Sequence, residues 1–137
     1  MQTNHEPIVL YVEDEPLSRQ VMEMLLTRSL GYKHIAIFEN SNNFLARLRD
    51  LVPQPNIIFL DIHMKPDDGF TVLSMLRREE QYRDVKIVAC TASVMNEEIA
   101  MLQQANFDGC ISKPIDADYF REFVSRVLEG EHVWHVA

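Results

Sequence analysis

The sequence predicts an α/β fold: a doubly wound, five-stranded parallel sheet with helices on both faces. Three observations predict it. Strand-like and helix-like segments alternate five times along the 137 residues, the pattern of right-handed crossovers between parallel strands. Three apolar runs, about Ile8–Val12, Asn56–Leu60 and Val85–Cys90, are hydrophobic along their length rather than alternating, as strands covered on both faces are. Those runs also end in reactive side chains: Glu13-Asp14, Asp61 and Thr91. In an open α/β sheet, ligands bind outside the carboxyl ends of the strands.

The elements follow in order. Strand one is about Ile8–Val12, and Pro16 suits the first turn of the next helix. Leu17, Val21, Met24, Leu25 and Arg28 fall at helical spacing, the apolar members forming one face. Gly31 is a helix stop. Strand two is about His34–Phe38. Helix two starts near Ser41, carries Phe44, Leu45 and Leu48, and stops before Pro53. Helix three holds Phe70, Leu73 and Leu76, then runs into the charged stretch 77–83. Asn96 caps helix four, with Glu97 and Glu98 in its first turn, where the macrodipole favours acids. Strand five is about Gly109–Ser112. Asp116 caps helix five, whose face is Phe120, Phe123, Val124, Val127 and Leu128. Gly130 ends that helix. The tail 129–137 is expected to fray, unless Trp134, flanked by histidines, packs on a partner or on the domain itself. One domain is expected, its core about 8–128.

Bulk properties exclude several functions. The formal net charge is -8, which argues against direct binding to nucleic acid or an anionic membrane, since both need a basic surface. No apolar run reaches the roughly 18 residues of a membrane span, and the N-terminus lacks the features of a signal peptide. The two cysteines, Cys90 and Cys110, have no metal-binding spacing. They read as small buried hydrophobes, with a disulfide conceivable if their strands are adjacent. A reduced, cytoplasmic chain is the simplest expectation.

The strand tips carry the chemistry. Clustered carboxylates repel by roughly 4 kcal/mol per pair at about 4 Å and an effective dielectric near 20, so a cation should sit among them. Magnesium suits oxygen ligands and usually takes one or two carboxylates plus phosphate oxygens. Asp14 and Asp61 are the expected direct ligands, and Glu13 a direct or water-mediated one. A carboxylate can also attack phosphorus and form an aspartyl phosphate. Asp61 is the candidate nucleophile because it is central. Lys113 would pair with one phosphoryl oxygen and Thr91 would offer its hydroxyl to another. A cis peptide before Pro114 would aim the Lys113 ammonium inward.

Four segments, in order and on strand tips, carry a resemblance: Val12-Glu13-Asp14-Glu15-Pro16; Leu60-Asp61-Ile62-His63-Met64 with Asp68-Gly69; Thr91-Ala92; and Ser112-Lys113-Pro114. Over about Ile8 to Leu128 the chain resembles a receiver domain of a two-component response regulator, in the layout of the single-domain chemotaxis receivers. The resemblance implies the flavodoxin-like strand order 2-1-3-4-5. It implies that Asp61 accepts a phosphoryl group from a histidine kinase or a histidine phosphotransfer protein. The His63 backbone carbonyl would join Asp14 and Asp61 on magnesium. Thr91 would shift toward the phosphoryl group and carry the change to the surface of helix four, strand five and helix five. The positions of His63 and Ser93 vary among receivers and bear on phosphate lifetime. Three departures stand out. Glu13 replaces the commoner aspartate. Met64-Lys65-Pro66 places the loop proline one residue late. Cys110 stands where many receivers have a switch Tyr or Phe, so another residue must report the Thr91 movement, or the output is graded differently.

Three functions compete. The first is a phosphorylatable switch whose output is contact with a downstream protein, as a relay intermediate, a phosphate sink, an allosteric partner or a homodimer; a receiver excised from a larger regulator belongs here too. The second is a receiver-like binding module that is not phosphorylated; the intact set Asp14, Asp61, Thr91 and Lys113 counts against it. The third is a magnesium phosphohydrolase. That class needs an acid two residues after the nucleophile, where this chain has His63. The chain is therefore expected to be no enzyme beyond its own phosphorylation and dephosphorylation.

Overall fold

The computed structural model describes residues 6–92 and 95–135. The elements are β1 (Ile8–Val12), α1 (Pro16–Met24), β2 (His34–Phe38), α2 (Phe44–Arg49), β3 (Ile57–Asp61), α3 (Gly69–Arg77), β4 (Lys86–Thr91), α4 (Asn96–Gln104), β5 (Gly109–Ser112), α5 (Ala117–Leu128) and β6 (Val133–His135). A π-helical turn, Leu25–Ser29, prolongs α1. All strands are parallel, in the order β2-β1-β3-β4-β5-β6. The doubly wound α/β fold is as the sequence predicts, the order of the first five strands is the one the resemblance implies, and β6 makes the sheet six-stranded instead of five-stranded.

Alternation along the strands builds two cores. Leu10, Val12, Ile58 and Leu60 face α2, α3 and α4, where Phe44, Leu48, Val72 and Leu102 meet them. Val9, Tyr11, Ile57 and Phe59 face α1 and α5, where Met22, Leu26, Phe120 and Phe123 close the other side. Both faces of β3 are buried along its whole length. Asp61 therefore rests on a rigid, central platform.

Capping follows local chemistry. The Glu15 carboxylate accepts the Ser18 N–H at 2.7 Å and Pro16 takes the first turn of α1. Asp68 accepts from the Thr71 N–H at 2.9 Å at the start of α3. Asp116 accepts from Asp118 N–H at 3.0 Å at α5. Gly31 and Gly130 both have positive φ, which ends each helical run without a Cβ penalty.

Four expectations need correcting. The N-cap of α4 is Met95, with no side-chain cap, and Asn96 is the first helical residue; Ser93 lies outside the described residues. Helix two begins at Phe44. Ser41 is instead buried between loops, its hydroxyl donating to Asp67 O and accepting from Asp67 N–H, both at 2.8 Å. On α1, Leu17, Val21 and Met24 are 63%, 48% and 55% exposed. The stripe that meets the sheet is Met22, Leu25 and Leu26, at i, i+3, i+4 and roughly a third of a turn away. This helix has apolar residues on two faces, and periodicity alone does not say which one the sheet takes.

The fourth correction is the tail. It does not fray over Val133–His135 but adds β6 along β5, pairing Gly109 with Val133, Cys110 with Trp134 and Ile111 with His135. Val133 is buried and Trp134 packs against the α4-side core. Gly109 makes this possible: a Cβ there would lie 2.9 Å from Val133 O.

Candidate functional site

Strand register brings the site together. Val12 pairs with Leu60, so Glu13, one step on, is level with Asp61. Asp61 pairs with Cys90, and Thr91 pairs with Ser112, just before Lys113. Four parallel strands thus end at one edge, which brings Glu13, Asp14, Asp61, Thr91 and Lys113 together there.

Glu13, Asp14 and Asp61 each offer a carboxylate oxygen within 4.8 Å of the others. Glu13 and Asp61 are buried, whereas Asp14 is exposed at the mouth. The Lys113 Nζ donates to Glu13 Oε1 at 2.7 Å and lies 3.6 Å from Asp61 Oδ1. The His63 N–H donates to Asp61 Oδ1 at 3.4 Å. The His63 ring is exposed and sits 3.6 Å from the Glu98 carboxylate. Thr91 is buried at the tip of β4. The Lys113–Pro114 peptide is cis.

The electrostatics follow from crowding. Burial, and then the Glu13 hydrogen bond and charge, push the Asp61 carboxyl up to about 6, with Lys113 opposing them. Burial disfavours the Lys113 ammonium, but its Glu13 hydrogen bond and the Asp61 and Glu13 charges outweigh this and raise its pKa. One ammonium does not neutralise three clustered carboxylates. An all-oxygen donor set with this charge surplus fits a hard divalent cation such as magnesium.

Gly69 lets the loop after Asp61 close on itself. Its N–H donates to Ile62 O at 3.1 Å, and a Cβ there would lie 3.0 Å from Asp61 O. This gives Asp68-Gly69 its physical reason: a cap followed by a close backbone approach.

Two features escaped the sequence reading. Tyr11, fully buried, donates its hydroxyl to Glu13 Oε1 at 2.7 Å. The signal was available, since residues two apart on a strand share a face. The exposed Leu17 and Val21 line a groove of about 450 Å³ that also holds Lys113, Pro114 and Ile115, directly beside the site. Cys90 and Cys110 do lie on adjacent strands, but Cys110 pairs with Ala89 and the two thiols serve opposite cores. That placement rules out a disulfide between them without backbone movement.

Comparison with known proteins adds a second line of argument. A family model for the response regulator receiver domain matches residues 9–125. The probable C4-dicarboxylate response regulator DctR of Halalkalibacterium halodurans is 32% identical over 126 residues, covering 90% of this chain and 53% of that protein. The polar-differentiation response regulator DivK of Brucella anthropi is 30% identical over 122 residues, covering 88% of this chain and 94% of that one. The chain thus spans about half of the first relative and nearly all of the second. Among solved structures, the chemotaxis response regulator CheY4 of Vibrio cholerae superposes with a TM-score of 0.75 at 23% identity, covering 88% of this chain and 97% of that chain. The receiver domain of the Pseudomonas aeruginosa sensor histidine kinase PA1611, solved with magnesium in its active-site cleft, has a TM-score of 0.77 at 23% identity, covering 91% and 99%. These two likenesses speak for the fold.

Proposed function

We propose, for a chain that belongs to the response regulator receiver family, that Asp61 is the phosphoacceptor of a magnesium-dependent signalling switch. The observation that carries this is the convergence of Glu13, Asp14 and Asp61, with the Lys113 ammonium 3.6 Å from Asp61 Oδ1. Asp14, Asp61 and the His63 backbone carbonyl would hold the cation, with Glu13 direct or through water. When bound, the cation offsets charge on the carboxylates and on the transferring phosphoryl oxygens.

The donor is a phosphohistidine on a histidine kinase or a phosphotransfer protein. An Asp61 carboxylate oxygen attacks phosphorus in line as the P–N bond breaks. The phosphohistidine ring carries a proton on its other nitrogen, so as the bonding pair returns to the ring the donor leaves as neutral imidazole. Such transfers are positional and electrostatic rather than acid–base. Lys113 turns from Glu13 to one phosphoryl oxygen, and the Thr91 hydroxyl meets another. The exposed Leu17 and Val21 support docking of the donor beside the site, because the groove they line runs up to Lys113.

Output is protein contact. Movement of Thr91 would be read at α4, α5 and the sheet edge, which in this chain is β6 along β5. Fluorine NMR with beryllofluoride and magnesium tests the site: bound signals in wild type, absent from Asp61→Asn, are expected. No bound signal in wild type would overturn the reading.

A further inference from the structure

Tyr11 lies on β1, between β2 and β3, two residues before Glu13 and on the same face. Its ring packs in the core against α1 and α5, and its hydroxyl points at the acidic cluster. Glu13 Oε1 receives two donors, the Tyr11 hydroxyl and the Lys113 ammonium, both at 2.7 Å. Oε2 accepts the Glu15 N–H at a longer 3.3 Å. Glu13 itself is 1% exposed, so bulk solvent does not reach it to replace a lost donor. Both donors on one oxygen fix the carboxylate's rotation.

We propose that Tyr11 is the positioning residue of this site: it anchors Glu13 Oε1, so that Lys113 can leave Glu13 for an incoming phosphoryl oxygen without stranding a buried carboxylate oxygen. The inference rests on the phosphoacceptor reading of Asp61. It also accounts for a glutamate at position 13. The extra methylene lets this carboxylate reach back to the Tyr11 hydroxyl, which an aspartate on the same backbone is too short to do. Without the hydroxyl, the departure of Lys113 leaves a buried acceptor unpaired, and such orphans are costly.

A double-mutant cycle tests this. Wild type, Tyr11→Phe, Glu13→Asp and the double variant are compared for magnesium dissociation constant by calorimetry and for rate of phosphoryl uptake from acetyl phosphate. Tyr11→Phe alone is expected to slow uptake roughly tenfold, about what one orphaned buried acceptor implies, and to weaken magnesium binding several-fold because Glu13 loses the donor that orients it. In the Glu13→Asp background the same change is expected to do nothing. Equal losses in both backgrounds would mean that Tyr11 only packs, and no loss in the native background would mean that it does not act on Glu13; either overturns the proposal. If Tyr11→Phe does not fold, 3,5-difluorotyrosine at position 11, similar in volume with a more acidic hydroxyl, replaces it and must alter uptake only when Glu13 is present. A wild type that binds magnesium but takes no phosphoryl group would overturn the phosphoacceptor reading. The magnesium arm of the cycle would still decide whether Tyr11 orients Glu13.

Discussion

The Lys113 ammonium is 2.7 Å from Glu13 Oε1 and 3.6 Å from Asp61 Oδ1. In this state the lysine is held by the acid beside the phosphoacceptor rather than by the phosphoacceptor itself. Removing one partner of a buried ion pair leaves the other charge uncompensated. Lys113→Met is therefore expected to destabilise the fold by about 3 kcal/mol, read by urea unfolding. Glu13→Gln with Lys113→Met should recover part of that loss. Additive losses would show that the two groups are not coupled.

Asp61 sets a pH dependence in metal-free protein. Its folded pKa is raised by burial first, and by Glu13 next, to about 6 from 3.8. The folded state then holds this proton more tightly than the unfolded chain. The stability it contributes is complete below about pH 4 and is lost as pH rises through about 6. In chelator, the melting temperature of wild type should fall relative to Asp61→Asn across that window. Magnesium should restore wild type above pH 6 and leave Asp61→Asn less affected. A gap between the two proteins that does not change with pH would contradict this.

Gly109 and Val133 share a close backbone approach that keeps β6 on the sheet. A Cβ at residue 109 would lie 2.9 Å from Val133 O and 3.4 Å from Phe123 Cζ. Gly109→Ala is expected to displace β6 and lose roughly the burial of Val133 and part of Trp134, about 2 kcal/mol. Trp134 is the single tryptophan, so its emission should shift red as it leaves the core. An unchanged emission spectrum and melting curve would refute the packing described here.

The α1 face separates docking from chemistry. Leu17 and Val21 are exposed, and Leu17→Ala with Val21→Ala should move stability by only about 0.5 kcal/mol each. Transfer from a phosphohistidine protein should fall far more than uptake from acetyl phosphate. Equal losses with both donors would place the effect in the site instead of at a docking surface.

Much of this molecule was legible in its sequence. Continuous apolar runs and strand-tip acids gave the sheet, its first five strands and the group of Glu13, Asp14, Asp61, Thr91 and Lys113, because register in a parallel sheet carries tip residues to one edge. Where the reading failed, tertiary packing decided. Helix one offers two apolar stripes, and of the expected face only Leu25 meets the sheet, joined by Met22 and Leu26 instead of Leu17, Val21 and Met24. The segment Val133–His135 is too short to announce a strand, and it becomes one because Gly109 admits its backbone. Tyr11 looked like one more apolar strand residue until its hydroxyl was found on Glu13.

The central claim is that Asp61 takes one phosphoryl group. Intact-mass measurement after incubation with acetyl phosphate and magnesium tests it most directly. The account predicts a single phosphoryl adduct in wild type, lost with chelator and absent from Asp61→Asn. An unmodified wild type, or an adduct that persists in Asp61→Asn, would contradict it.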